Sequence, residues 1–185
     1  MTNYLLSIDP SIKNTGFTLW EKRCHVIDCE NNNCIEIKLW IPIWIKSFNF
    51  KKQYDFHKEI KWQIHDLIEI TRKISRFNFV IERGTFHSKN GIGYETQEHL
   101  RGFIAGQFNK LITKDMLISP KEWQNWYLKK YFNELENKKM WNDKEISFSF
   151  ALRLIAENNW NITISNHDEA DSLLIGWYYL NKENK

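Results

Sequence analysis

Phe77-Asn78-Phe79-Val80-Ile81-Glu82 is a short apolar run that ends on a carboxylate. Ahead of it, from Tyr54 to Arg76, Ile60, Ile64, Leu67, Ile68 and Ile74 recur at helical spacing between charged residues, the pattern of an amphipathic helix of about five turns. A helix feeding a buried strand is a crossover unit, so the strand ending at Glu82 should run parallel to an earlier one. That earlier strand is Tyr4-Leu5-Leu6-Ser7-Ile8-Asp9, stopped by Pro10; after the polar link from Ser11 to Thr15, the stretch Gly16 to Glu21 alternates again and makes a hairpin with it. In an open sheet of this kind ligands bind beyond the carboxyl ends of the parallel strands, where Asp9 and Glu82 both lie.

Outward from this unit the pattern stays α/β. A third strand is expected within Cys34 to Trp44, where Ile35, Ile37 and Leu39 alternate with Glu36 and Lys38, and Pro42 limits its run as a central strand. Beyond Glu82 come a glycine-containing loop from Arg83 to Gly93, a helix from about Tyr94 to Leu111, and a short strand from Met116 to Ser119 that ends at Pro120. Helices then follow at Lys121 to about Phe132, Asp143 to about Asn158, and His167 to about Leu180. The expected architecture is a mixed central sheet of about five strands flanked by helices, in a single domain over residues 1–185. Gly102 and Gly106 weaken their helix by about 1 kcal/mol each relative to Ala, which suggests a close approach of another backbone, within the chain or across a dimer interface.

Asp168 and Asp171 stand three apart in the first turn of the last predicted helix and so share a face. With Asp9 and Glu82 they bring like charges to one edge of the fold, an arrangement that is unfavourable without cations and therefore points to a divalent metal. Phosphodiester hydrolysis needs an activated water and a stabilised leaving oxygen, and two metal ions roughly 3.5–4 Å apart supply both. Carboxylates from two strand ends and one helix suit magnesium, which prefers oxygen ligands. Each position also has an ordinary reading: Asp9 as a turn cap, Glu82 as a solvated strand end, Asp168 with Glu169 as partners of the helix dipole, and His167 as a solvated helix-start residue.

Composition bounds the alternatives. The 185 residues are 42% hydrophobic and include nine Trp, which excludes a disordered chain, and the formal charge of +3 with a pI near 8.6 does not by itself announce nucleic-acid binding. Local runs such as Phe50-Lys51-Lys52, Tyr127-Leu128-Lys129-Lys130-Tyr131 and Lys138 to Lys144 interleave lysines with aromatics, as phosphate-contacting surfaces and ordinary solvated faces both do. Cys24, Cys29 and Cys34 contain no Cys-x-x-Cys pair and read as reduced thiols rather than a zinc site. With neither a signal segment nor an apolar stretch of membrane length, the expectation is a cytoplasmic protein, bacterial or viral within a host, with no membrane partner.

The chain resembles the RuvC family of Holliday junction resolvases, within the ribonuclease H-like fold. Five blocks carry the resemblance in the family's order: Ser7-Ile8-Asp9-Pro10 with Thr15-Gly16-Phe17, Val80-Ile81-Glu82, Leu100-Arg101-Gly102, Ile118-Ser119-Pro120-Lys121, and Asp168-Glu169-Ala170-Asp171-Ser172-Leu173. The resemblance implies a homodimeric endonuclease that cuts opposed strands of four-way DNA junctions with two Mg²⁺ per active site, Mn²⁺ substituting. It implies Asp9, Glu82, Asp168 and Asp171 as catalytic metal-holding carboxylates and Lys144 as the catalytic lysine; no further cofactor is implied. Phe86 falls where the family often carries a ring that stacks at the junction centre. Arg83, Lys89, Lys121, Lys129 and Lys130 complete the candidate DNA contacts.

Two departures stand out. Ser11 replaces the family's glycine after Pro10, and Gln124 stands where the family has a second lysine, a role that Lys121 could take. The alternatives are a less selective nuclease of the same fold acting on forks, flaps or hybrids, and a catalytically silent nucleic-acid-binding protein, whose usual mark is a lost carboxylate. An actin-like ATP-binding fold needs a second phosphate loop and more than the seven glycines here.

Overall fold

Tyr4–Asp9 (β1), Asn14–Ile27 (β2) and Ile35–Asn49 (β3) form an antiparallel meander, because a polar link after Pro10 returns the chain along its own first strand. The computed structural model describes residues 3–11, 13–27, 35–49, 61–62, 64–74, 76–84, 91–131 and 143–182. Helix His65–Lys73 (α1) then leads into Asn78–Glu82 (β4), which pairs parallel with β1: Ser7 lies beside Val80 and Ile8 beside Ile81. Next come Gly91–Gln107 (α2), a 3₁₀ turn at Lys114–Met116, and Leu117–Ile118 (β5), parallel to β4. Pro120–Tyr131 (α3), Asp143–Glu157 (α4) and His167–Asn181 (α5) complete the order. The five-stranded sheet runs β3-β2-β1-β4-β5, antiparallel on one side of β1 and parallel on the other.

β3 runs through Pro42 to Asn49, past the stretch from Cys34 to Trp44. The strand lies at the sheet edge, and its register shifts at Leu19/Trp20, with Trp20 opposite Pro42 and Leu19 opposite Trp44. An edge position beside a bulge tolerates the missing N–H. β2 is likewise longer than Gly16 to Glu21, because its outer residues pair with β3 rather than β1.

Strand alternation divides the core between the two faces of the sheet. Leu5, Trp20 and Val80 join Trp123, Tyr127, Phe150, Leu154, Leu173 and Leu174 from α3, α4 and α5. Leu6, Ile8, Phe79 and Ile81 join Leu67, Leu100 and Ile104 from α1 and α2. Asp9 shares the parity of Leu5, and Glu82 that of Val80, so both strand ends present their carboxylates on the α3–α5 side.

A buried polar cluster ties α5 to this face. The Ser7 hydroxyl donates to the Ser172 carbonyl at 2.8 Å, the Thr18 and Ser172 hydroxyls are 2.8 Å apart, and the Trp20 indole donates to Ser7 Oγ at 3.0 Å. Gly176 permits the contact: a Cβ there would lie 2.2 Å from Trp20 Nε1 and 2.5 Å from Ser7 Oγ. Among the described residues nothing comes within 4 Å of a Cβ at Gly102 or Gly106. No helix of the described residues is long and apolar enough to cross a membrane.

Candidate active site

One row of paired residues seats the start of α5. Asp9 on β1 faces Gly16 on β2, and Gly16 faces Ser47 on β3. The first turn of α5 lies over this row so closely that a Cβ on Gly16 would sit 1.9 Å from the Asp168 carbonyl oxygen. A side chain here would lift the helix away from Asp9, which gives the Thr15-Gly16-Phe17 block a steric reason.

The turn is fixed by its own caps. Asn166 accepts from the Glu169 N–H at 3.0 Å, an N-cap bond. Glu169, only 7% exposed, accepts from the Ser47 N–H (3.0 Å) and hydroxyl (3.3 Å) through Oε1, and from the Ser165 N–H (2.7 Å) and hydroxyl (2.9 Å) through Oε2. This carboxylate is a structural clamp between β3 and the start of α5. It occupies the position in a capping box from which an acidic side chain reaches back toward the residues preceding the helix.

The catalytic candidates have a different environment. Asp9 is 9% exposed, and burial holds its carboxyl well above the usual range, with repulsion from Glu82, Asp171 and Asp168 adding to the shift. Burial pushes Asp171 up to about 7, with the charges of Glu82 and Asp168 adding to it; the Ser147 hydroxyl and Lys144 oppose the shift. Burial also raises Glu82, against hydrogen bonds from Trp123 and Asp9 and the field of Arg101, and raises Asp168, against Lys144 and a hydrogen bond with Asn14. All four predicted carboxylates therefore converge, and Lys144, exposed at the start of α4, acts on two of them.

Two buried groups frame Glu82. The Trp123 indole, 1% exposed, donates to Glu82 Oε1 at 2.8 Å. Arg101, also 1% exposed, forms an ion pair with Glu98 and passes beneath Gly84, where a Cβ would lie 2.2 Å from a guanidinium nitrogen. The Leu100-Arg101-Gly102 block thus places a cation behind the second carboxylate. Trp123 carries no mark in the sequence beyond its apolar character, and Asn14 and Ser147 look like ordinary polar residues.

The arrangement fits a divalent metal without being a closed cage. Asp171 Oδ1 is buried with no hydrogen-bond partner, which is unusual for a buried polar atom. Among the described residues no group of three or more His, Cys, Asp or Glu side chains is arranged so that it could hold a metal ion by itself. Magnesium fits such an open cluster, because it keeps several waters and takes only one or two carboxylates along with phosphate oxygens.

The remaining candidates are scattered. Arg83 is exposed just past β4, Lys121 is exposed in the first turn of α3, and Lys129 is exposed near its end. Lys130 belongs to α3, but its side chain lies outside the described residues, as do Phe86 and Lys89 altogether. His167 Nδ1 lies 2.9 Å from the Lys144 carbonyl, and its ring meets Phe148 edge-on, so it braces α5 against α4. Cys24 is exposed on β2, and Cys29 and Cys34 lie outside the described residues.

Neither a protein-family model nor a curated protein sequence matches the chain. Solved structures do. RuvC from Thermus thermophilus in complex with a Holliday junction substrate is similar with a TM-score of 0.53 and 14% identity, over 95% of this chain and 94% of that one. Fowlpox virus resolvase in complex with substrate Holliday junction DNA is similar with a TM-score of 0.51 and 16% identity, over 98% and 99%. The chain shares its fold with RuvC and with the fowlpox virus resolvase.

Proposed function

We propose that this protein is a divalent-metal-dependent endonuclease that resolves four-way DNA junctions by paired, symmetric cuts. The observation that carries the reading is the convergence of Asp9, Glu82, Asp168 and Asp171 at the carboxyl ends of parallel strands, with one buried Asp171 oxygen left without a partner. The fold shared with two resolvases solved on junction DNA supports the choice of substrate.

Asp9, Glu82, Asp171 and Asp168 would hold Mg²⁺ or Mn²⁺, two ions per site, and the metal supplies the activation of water and the stabilisation of the leaving 3′ oxygen. The chain's own residues prepare that site. Gly16 lets Asp168 and Asp171 approach Asp9, Glu169 locks the helix that carries them, and burial makes charge neutralisation by a cation favourable. Lys144 is exposed at the rim with its charge directed at Asp168 and Asp171, a position from which it can meet a phosphate. Arg83, Lys121 and Lys129 would hold flanking phosphates, where contacts position DNA without reading its sequence. We take the whole chain as one nuclease domain acting as a homodimer, because a twofold axis is the simplest way to present two sites to opposed strands.

The test is cleavage of a synthetic four-way junction beside linear duplex and fork controls, with Mg²⁺, by wild type and Asp9→Asn. Paired nicks confined to the junction, lost in the variant while binding persists, are expected. Equal cutting of linear duplex would overturn the junction reading, and cutting in excess chelator would overturn the metal reading.

A further inference from the structure

Each candidate carboxylate has a protein hydrogen-bond partner, but the partners differ in kind. Asp168 meets the Asn14 amide and Asp171 the Ser147 hydroxyl, groups that can rotate, while Asp9 and Glu82 bond to one another. Glu82 alone is held by a fused ring. We infer that Trp123 is a positioning residue for the metal site, which fixes Glu82 through its indole N–H; this rests on the proposed metal-dependent reading.

The geometry supports a directed contact. Trp123 enters from the first turns of α3, which begin at Pro120 directly after β5, and β5 pairs with β4 so that Ile118 lies beside Glu82. The ring cannot turn away: it is 1% exposed and stands 5.5 Å from the Tyr127 ring within the core layer. Its donor reaches Glu82 Oε1 at 2.8 Å. An indole N–H donates only, does not titrate and does not ligate a cation, so neither metal nor proton competes for it. Groups that orient a metal-holding side chain from behind typically change metal affinity 10–100-fold when removed.

A bland reading exists: a buried indole needs some acceptor, and Glu82 happens to be near. The two readings diverge on metal binding. Trp123→Phe keeps an aromatic ring in the core but deletes the donor, and replacement of Trp123 by 3-benzothienylalanine keeps the bicyclic outline with sulfur in place of N–H. Mn²⁺ binding to wild type and both variants, followed by calorimetry, should weaken about 10-fold or more in the variants. Melting temperature without metal should fall modestly in the benzothienyl variant and further in Trp123→Phe, which also leaves a cavity, while KM for the junction should stay near wild type and excess Mn²⁺ should recover most of the lost kcat.

Wild-type Mn²⁺ affinity in a folded variant would overturn the assignment. If Trp123→Phe fails to fold, the benzothienyl variant decides alone, by the same criterion. Absence of Mn²⁺ binding in wild type would instead overturn the metal-dependent reading, and this inference with it.

Discussion

Glu169 and Asp171 stand two residues apart on α5 and live in opposite circumstances. Glu169 is turned toward β3 and the segment before the helix, where four donors from Ser47 and Ser165 satisfy both oxygens. Asp171 is turned toward Asp9 and Glu82, with one buried oxygen unpartnered and its carboxyl raised to about 7 by burial and by neighbouring carboxylates. The first is architecture, since its charge is used up by the protein. The second has charge to spare, and only a cation or a proton relieves it. Proximity in sequence therefore says little about role; the supply of donors does.

The largest effect should come from removing a charge on the unsatisfied side. Asp171→Asn should lower junction cleavage on the order of 10³-fold or more, the loss of several kcal/mol of transition-state stabilisation, while junction binding and the fold persist. Glu169→Gln should do the reverse, cutting slowly only in proportion to lost folded protein. A Glu169→Gln protein with normal stability and no activity would erase the distinction between the two carboxylates.

Next comes the seat they share. Gly16→Ala places a Cβ 1.9 Å from the Asp168 carbonyl, so α5 must shift. Overpacking of this kind typically costs about 1–3 kcal/mol, and here it also moves the two carboxylates proposed to hold metal away from Asp9. Both melting temperature and cleavage should fall together. Glu169→Gln belongs at a similar level of stability loss, about 1–3 kcal/mol, because an amide nitrogen would face N–H and O–H donors in a buried site.

How much of this was legible in the sequence depends on the range of the interaction. The hairpin, the crossover into Glu82 and the helical face shared by Asp168 and Asp171 follow from local periodicity, and the structure carries all of them. How far β3 runs through Pro42 depends on whether the strand lies inside the sheet or at its edge, which periodicity does not encode. Glu169 and Ser47 are separated by 122 positions, so their bond becomes visible only with the topology. Trp123 was hidden for another reason: an apolar helical position predicts core, and the ring is core, but its one polar atom faces Glu82. Gly16 belonged to a motif block, yet its reason, contact with Asp168, is tertiary.

A smaller effect separates the two carboxylates by pH. Because Asp171 has a folded pKa raised above its unfolded value, its contribution to stability is fully present below the unfolded carboxyl range near 4 and is lost as pH rises through about 7. Metal-free Asp171→Asn should therefore gain in melting temperature over wild type as pH goes from 5 to 8, and added Mg²⁺ should shrink the difference by stabilising wild type. A constant difference across that range would mean that the Asp171 charge is not strained. Smallest of all, Ser172→Ala should cost about 1 kcal/mol or somewhat more, since it removes a hydroxyl that joins Thr18 to α5 behind the site.

The most direct measurement is anomalous diffraction from crystals of the protein grown with Mn²⁺. The account predicts anomalous density among Asp9, Glu82 and Asp171 and none at Glu169, whose oxygens are already taken. Density at Glu169, or none beside Asp171 at saturating Mn²⁺, would contradict it.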